Sequence, residues 1–313
     1  MDTGDLTVFA AVAQAGGITR AAQRLNTVQS NVTQRVRLLE AELGVPLFHR
    51  HSRGVSLTSA GRQLLPYAER IGRLMAEAKQ AAADTAVARG QIVIGALETA
   101  TAMRLPPVLA AYAAACPEVD IEIVTGTSAA LLEAVCERHV EAAFVAGPVD
   151  HAELIALPLL EEELVVVTAP WLAALDDVVA AAPLKIVVFR PGCTYRLRLE
   201  ALLAARGAVG VRRLEFGTLD GIIGCVGAGI GVTLLPRAAV AKAAAEGRVA
   251  LHALPAREAR VPTVLVRRAD CFLSTALSRF IETARRHLVA TPQPAPARGR
   301  QRQARDASWI SFR

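Results

Sequence analysis

Two short helical patterns separated by a polar break, between residues 19 and 43, constrain the fold more than any other stretch of the sequence. In the second pattern, apolar side chains recur at i, i+4, i+7 and i+11, a spacing that aligns them on one face of a helix. That stripe consists of Val32, Val36, Leu39 and Leu43. In the first pattern, the small residues Ala21 and Ala22 allow close helix packing. The stretch therefore predicts two crossing helices, the second of them buried on one side.

The opposite face of the second helix carries hydrogen-bonding side chains and no carboxylate before Glu40. Neutral or basic polar groups on a half-buried helix suit the base edges and phosphates of a DNA major groove. An ordinary pair of surface helices would show the same pattern, so both interpretations remain open on these residues alone. If DNA is the partner, the candidate contacts in the two helices are Thr19, Arg20, Gln29, Ser30, Asn31, Thr33, Gln34 and Arg37.

The continuation of the chain favours the DNA-binding interpretation. Gly44 and Pro46 end the second helix, and a short basic hairpin with Gly54 at its turn follows, with Arg50 and Arg53 placed to meet phosphates or the minor groove. This ordered run resembles the N-terminal domain of LysR-type transcriptional regulators, a bacterial winged-helix family. The resemblance is specific over about the first 65 residues, and a weaker collinear resemblance extends to about Val289.

The sequence makes two predictions about the residues that cap the N-termini of the paired helices. Thr19 has the side chain of a good N-cap for the first of the paired helices. The family usually places serine just before the glutamine that opens the recognition helix, whereas this chain has Val28 before Gln29. We therefore expect the cap to shift to Thr27 or Asn26.

Residues 58 to about 83 read as one long helix. Its apolar side chains alternate spacings of four and three, which averages ~3.5 residues and is typical of a coiled-coil seam. The seam consists of Leu64, Ala68, Ile71, Met75, Ala78 and Ala82, and Pro66 is expected to kink the helix. A helix packed on its own domain is the alternative. The resemblance instead implies dimerisation, hence a homodimer or homotetramer on dyad-symmetric double-stranded promoter DNA.

From residue 91, apolar strands alternate with helices, a pattern typical of parallel sheets with crossover helices. The predicted elements include a helix at 103–116, a strand at 142–146, a strand that begins near Leu164 and a helix at 237–245. The fold class is thus α/β with an N-terminal all-α winged helix-turn-helix. The resemblance implies that the α/β part is an effector domain of two subdomains, like a periplasmic binding protein. The expected divisions are a winged helix-turn-helix at 1–58, a linker helix and hinge at 59–90, subdomain I at about 91–162 and 268–290, subdomain II at about 163–267, and a disordered basic tail at 291–313.

Hydroxyl-bearing loops follow several predicted strands of this α/β region, where helix N-termini offer free N–H groups to a carboxylate or other anion. Arg196 would pair with such an anion. Simple helix capping is the alternative for each hydroxyl. The resemblance implies that matching positions line the effector cleft, and the candidates are Thr99, Thr101, Thr127, Ser128, Cys193, Arg196 and Thr218.

Charge and motif content narrow the function classes. The net charge of +6 is concentrated at the ends, because residues 1–90 carry +4, the tail carries +4, and residues 91–290 carry −2. No GxSxG or HExxH motif occurs, so we expect no enzyme. Five widely spaced cysteines without a CxxC predict reduced thiols, and we expect no metal or cofactor.

The sequence also bears on the cellular location of the protein and on the alternative functions that remain. No signal peptide or membrane span is expected, which predicts a cytoplasmic protein. An exported solute-binding protein would leave residues 1–83 unexplained. The alternative that stays open is an architectural DNA-binding protein without a ligand.

Overall fold

The computed structural model describes residues 1–51, 54–174 and 184–289 of the chain, so the predicted disordered tail at 291–313 lies outside it. The N-terminal domain consists of three helices and a two-stranded antiparallel wing. These elements are α1 (Thr3–Ala15), α2 (Ile18–Arg24), α3 (Gln29–Leu43), β1 (Phe48–His51) and β2 (Gly54–Leu57).

One small core holds these elements together. Each of its apolar side chains stabilises the fold by up to ~1.5–3 kcal/mol through burial. The rings of Phe9 and Phe48 lie 5.3 Å apart and join α1 to the wing. Leu43, predicted to extend the buried stripe of α3, is 38% exposed, because the end of the helix extends beyond the core. The core includes Leu6, Phe9, Val12, Ala21, Ala22, Val32, Val36 and Leu39.

Both capping expectations are wrong. Helix α2 begins two residues earlier than predicted, at Ile18, with Gly17 as its extended N-cap, so Thr19 lies inside the helix. Helix α3 begins at Gln29 with Val28 as N-cap and no side-chain cap. Neither Thr27 nor Asn26 takes over the cap, because both belong to the turn between the helices. Asn26 has a positive φ of 50°, and the Thr27 amide donates to the Ala22 carbonyl at 2.9 Å.

The predicted long helix is α4 (Ser59–Ala83), and it continues through Pro66. Its N-cap is Thr58, whose side chain accepts from the Gly61 amide. The two ends of its apolar stripe differ. Leu64, Ala68 and Ile71 pack on the winged-helix core. Met75, 43% exposed, and the exposed Ala78 and Ala82 extend beyond that core. The first half of the predicted seam thus serves its own domain, and only the second half is free for another chain.

The α/β region contains the alternating elements that the sequence predicts. Its strands are β3 (Gly90–Leu97), β4 (Val119–Gly126), β5 (Ala142–Ala146), β6 (Leu154–Thr168), β7 (Lys185–Phe189), β8 (Arg212–Phe216), β9 (Thr233–Pro236), β10 (Ala250–Ala253) and β11 (Arg260–Arg268). Its helices are α5 (Glu98–Met103), α6 (Leu105–Ala115), α7 (Ser128–Cys136), α8 (Thr194–Ala205), α9 (Leu219–Gly227), α10 (Arg237–Ala245), α11 (Ala256–Ala259) and α12 (Thr275–Val289). The helix predicted at 103–116 is α6, whereas the loop predicted just before it forms the short helix α5. The two helices are separated at Arg104, which precedes two prolines.

The strands form one seven-stranded sheet, in the order β10-β6-β11-β5-β3-β4 with β9 also on β6, and a separate parallel pair, β7-β8. The predicted parallel pairing is confirmed for β3 with β4 and β5, and for β7 with β8. Strands β6 and β11 run antiparallel to each other along 154–163 and 260–268. Beyond that pairing, β6 continues against β9 and β10. These two strands are the connections between subdomains I and II.

Helix α4 is bonded directly to subdomain I at a set of contacts that we call the linker joint. Glu77 accepts from the Arg138 guanidinium at 2.9 Å and from the Phe272 amide at 2.7 Å. Asp84 accepts from the amide and hydroxyl of Thr275 at 3.0 and 2.9 Å. Within the described residues, none of the helices is long and apolar enough to cross a membrane.

Candidate functional site

The side of α3 away from the core forms a shallow groove, which we call the groove face. None of its lining residues is acidic. Thr33 is half-buried, whereas the predicted contacts Gln29, Ser30, Asn31, Gln34 and Arg37 are exposed, as are Thr19 and Arg20 on α2. The groove face therefore offers hydrogen-bonding and cationic groups with exposed apolar Leu38 among them. It is lined by Gln29, Ser30, Thr33, Gln34, Arg37, Leu38 and Ala41.

The charged residues of α3 that point elsewhere are engaged within the domain. One carboxylate oxygen of Glu40 accepts from the amides of Leu47 and Phe48 at 2.8 and 3.2 Å, which fixes the start of the wing on the recognition helix. Arg35 is turned towards α1, where it pairs with Asp5 at 3.2 Å. The role of Glu40 could not be predicted from the sequence, because a carboxylate in a helix carries no local sign of a distant backbone partner.

The wing is docked on the turn between α1 and α2. The Val55 amide donates to the Gly16 carbonyl at 3.2 Å. Gly54 has φ +135°, and a Cβ there would lie 2.5 Å from the Gly16 oxygen, so glycine is required on both grounds. Arg50 of β1 is exposed and lies 3.9 Å from Glu40. Arg53, the other predicted phosphate contact, falls outside the described residues.

A second candidate site is the cleft cavity, a space of 410 Å³ between the two subdomains. It lies at the ends of β3 and β4 on one side and of β7 and β8 on the other. Of the seven predicted effector residues, Thr99, Thr127 and Cys193 line it. The lining consists of Leu97, Glu98, Thr99, Thr125, Gly126, Thr127, Ala130, Phe189, Arg190, Pro191, Cys193, Tyr195, Phe216 and Gly217.

The other four predicted effector residues do not line the cavity, and each has a partner within the protein. The Thr101 hydroxyl donates to the Leu97 carbonyl at 3.1 Å. Thr218 caps α9 by accepting from the Gly221 amide at 3.3 Å. Ser128 accepts from the Thr194 hydroxyl at 3.0 Å. Arg196 forms ion pairs with Glu215 at 2.7 Å and with Glu200 at 3.2 Å.

The two subdomains touch at one edge of the cleft cavity. The Ala129 amide donates to the Gly192 carbonyl at 3.2 Å, next to the bond between Thr194 and Ser128. Gly192 has φ +90°, and a Cβ there would lie 2.8 Å from the Thr127 Oγ1. Glycine is thus what allows the loop before α8 to reach the start of α7.

Polar groups on the cavity wall are mostly uncharged, and the two charged side chains among them are Glu98 and Arg190. Burial raises the pKa of Tyr195, which keeps its phenol neutral, and interaction with the Thr99 hydroxyl opposes this shift only in part. Burial also raises the pKa of the Cys193 thiol, which lies against the amides of Arg196 and Tyr195. Neither group supplies a negative charge near neutral pH.

Arg190 provides the positive charge of the cavity. Its exposed guanidinium has no hydrogen bond or ion pair within the part of the chain that the structure describes. Arg190 was not among the residues predicted from the sequence, which included Arg196, six residues later. The available signal was its position immediately after the apolar strand β7, where ligands meet α/β sheets.

Two family models match this chain and together cover most of it. Residues 3–62 match the bacterial regulatory helix-turn-helix protein of the lysR family, and residues 85–289 match the LysR substrate binding domain. The chain belongs to the LysR family of DNA-binding transcriptional regulators. It therefore carries an effector-binding domain behind its helix-turn-helix, and the family is one of regulators, not of enzymes.

Curated relatives and solved structures agree with this assignment. The chain is 39% identical over 285 residues to the HTH-type transcriptional regulator GltR of Bacillus subtilis (strain 168), covering 90% of this chain and 95% of GltR. It is 43% identical over 283 residues to the uncharacterised regulator YusT of the same strain, with the same coverage.

Solved structures share the fold at lower identity. Full-length CbnR complexed with its target DNA matches with a TM-score of 0.64 at 23% identity, covering 92% of this chain and all of that one (100%). ArgP from Mycobacterium tuberculosis matches with a TM-score of 0.66 at 21% identity, covering 93% and 98%. The arrangement of winged helix, long helix and α/β domain is thus that of full-length LysR regulators.

Proposed function

We propose that this regulator binds dyad-symmetric promoter DNA in the cytoplasm and that the groove face of α3 reads the bases. Ser30, Thr33, Gln34 and Arg37 would contact base edges, with Gln29 near the rim. Arg50 and Arg53 would hold phosphates from the wing. The absence of acidic side chains among the residues lining the groove face supports this role, because a carboxylate there would be repelled by the phosphate backbone.

The assembly that we propose on DNA is a homodimer, or a homotetramer built from two dimers. Its support is the second half of the apolar stripe of α4, where Leu74 is 50% exposed beside the exposed Met75 and Ala78. Pairing of this stripe between two chains would place two recognition helices about one DNA turn, or a multiple of it, apart.

We further propose that a small carboxylate or similar anion binds in the cleft cavity and changes how the dimers sit on DNA. The observation that carries this proposal is the unpaired Arg190 guanidinium at a cavity of 410 Å³, a volume typical of small-molecule sites. Neutral hydroxyls of Thr99 and Thr127 would complete the contacts, and the uncapped N-terminus of α8 adds further N–H donors.

Gel shifts with DNA upstream of the protein's own gene, at fixed salt and with scrambled competitor, test DNA recognition. We expect discrete specific complexes that Gln34→Ala makes less selective, whereas Arg50→Ala weakens cognate and scrambled DNA alike and flattens the salt dependence. Equal losses on both DNAs for Gln34→Ala would remove that residue from the base-reading set. If a genome-wide selection finds no preferred site, the proposed promoter recognition fails.

The ligand proposal is tested by screening small carboxylates for a change in the specific shift. We expect Arg190→Gln to abolish the response while leaving specific binding intact. The matched control is Arg212→Gln, an exposed arginine of β8 that does not line the cavity. Specific binding that no small molecule alters would favour the architectural alternative, and an unchanged response in Arg190→Gln would refute the role of that guanidinium.

A further inference from the structure

Three side chains with metal-ligating atoms converge at one corner of subdomain I, away from the cleft cavity. They are Cys136 at the end of α7, and His151 and Glu153 just before β6. Each offers one ligand atom, and these three atoms lie within 4.8 Å of one another. The sequence predicts no metal here, since a separation of fifteen residues and then two matches no ligand-spacing motif. The fold alone brings the three together.

The geometry points to a site for a divalent ion of the zinc class at Cys136, His151 and Glu153, and we propose that this chain binds such an ion there. Thiolate, imidazole and carboxylate are the three ligand types that zinc accepts, and three protein ligands leave a fourth position to water. Tetrahedral coordination at the usual bond lengths separates the sulfur and nitrogen ligands by about 3.5 Å. The Cys136 Sγ and the His151 Nε2 are 3.9 Å apart, so a small side-chain rotation brings them into range.

Binding of the ion would replace some of the hydrogen bonds that His151 and Glu153 make in this structure. The Glu153 amide donates to the His151 Nδ1 at 3.2 Å, which leaves the ring proton on Nε2. Binding through Nε2 moves that proton to Nδ1, and the amide then bonds to water. The Cys136 thiol releases its proton to water as its sulfur binds the ion. Arg268 lies 3.1 Å from the Glu153 carboxylate but keeps two bonds to Asp270, at 2.7 and 2.9 Å. His151 and Glu153 are exposed, so these exchanges take place where water is available.

The site also lies beside the linker joint. Arg268 donates to the Cys136 carbonyl at 2.9 Å, and its partner Asp270 accepts from Arg138 at 3.0 Å. Arg138 is the residue that holds Glu77 of α4. An ion at the site would therefore stand a few side chains from the helix that joins the two domains. It would occupy a second ligand-binding site, separate from the cleft cavity.

Cobalt titration of the untagged, reduced full-length protein tests the proposal. Cobalt(II) replaces zinc in such sites, and a thiolate ligand gives a charge-transfer band in the near ultraviolet. We expect this band in the native chain, with Zn²⁺ displacing it at one equivalent. Cys136→Ser should lose the band, and His151→Ala should weaken cobalt binding about tenfold or more. The matched control, Cys225→Ser, removes another half-buried cysteine, on α9, and should leave the titration unchanged.

Two results would overturn the site. A band that persists in Cys136→Ser would place the ion on another thiol. Equal affinity in His151→Ala and the native chain would reduce the binding to a thiol alone. His151 is exposed, so its variant is expected to fold, and circular dichroism of each variant checks this. The titration needs no DNA and no cleft ligand, so its outcome is independent of the proposed promoter recognition.

Discussion

Replacing Glu40 by alanine should release the wing from the recognition helix while leaving the groove face intact. Glu40 is only 18% exposed, and its Oε1 is the acceptor for two amides at the start of the wing, those of Leu47 and Phe48. Both of these residues are buried in the native chain. The substitution thus leaves two buried donors without partners.

The size of the effect follows from those two bonds. A hydrogen bond to a charged group contributes about 1.5–3 kcal/mol. Because one oxygen serves both amides, we take about 3 kcal/mol for the pair, which corresponds to roughly a hundredfold change in the opening equilibrium of the wing. Glutamine keeps the shared oxygen but loses the charge, which roughly halves each bond. Glu40→Gln should therefore raise the opening equilibrium of the wing only about tenfold.

Amide hydrogen exchange of the full-length protein measures this opening directly, through the Leu47 and Phe48 amides. The expected order of exchange rates is native, then Glu40→Gln, then Glu40→Ala, with the exchange of the α1 amides serving as the internal reference. Native-like exchange in Glu40→Ala would refute the argument. Equal exchange in the two variants would show that charge, rather than the shared acceptor, fixes the wing.

Three further predictions follow from buried contacts of the effector domain. Gly192→Ala should weaken cleft-ligand affinity roughly tenfold, because its Cβ would lie 2.8 Å from the Thr127 Oγ1 where the two subdomains touch; calorimetry with an identified ligand checks this, and unchanged affinity would exclude the clash. Burial raises the pKa of Glu141 from 4.5 to about 7. The protonated folded form is therefore favoured, and up to about 3 kcal/mol of stability present below 4.5 is lost as the pH rises through 7. Thermal melts across this range should show that loss in the native chain and not in Glu141→Gln. Tyr112→Phe should cost about 1–2 kcal/mol in urea denaturation, since the buried hydroxyl donates to the Ala276 carbonyl at 2.8 Å; equal stability would argue that this bond contributes nothing.

Elements with strong local signals could be predicted closely from the sequence. Strand β5 and helix α10 have the predicted bounds, and α3 begins where predicted, because apolar periodicity and flanking breakers define these segments locally. Strand β6 begins at Leu154, ten residues before the predicted start at Leu164. Its first half pairs with β11, about a hundred residues later, and contains three consecutive glutamates. No local pattern encodes such a pairing.

The cleft shows the same division between local and distant information. The rule that ligands meet strand ends led to Thr99, Thr127 and Cys193, which line the cavity. The same rule also led to Arg196, whose partner Glu200 follows one helical turn later, a signal that was present in the sequence. Its second partner, Glu215, comes from the neighbouring strand β8, which only the packing of α8 determines.

Helix α4 packs in the winged-helix core at one end and is hydrogen-bonded to subdomain I at the other, so it can act as a lever between the two domains. Its first half packs in the winged-helix domain, and Glu77 near its other end is bonded to subdomain I. At 1.5 Å per residue, its 25 residues span about 37 Å. A tilt of about 5° at the subdomain end would carry the winged helix about 3 Å, close to the rise of one base pair. A rearrangement in the cleft too small to change the fold would therefore be enough to move a recognition helix out of register with its bases.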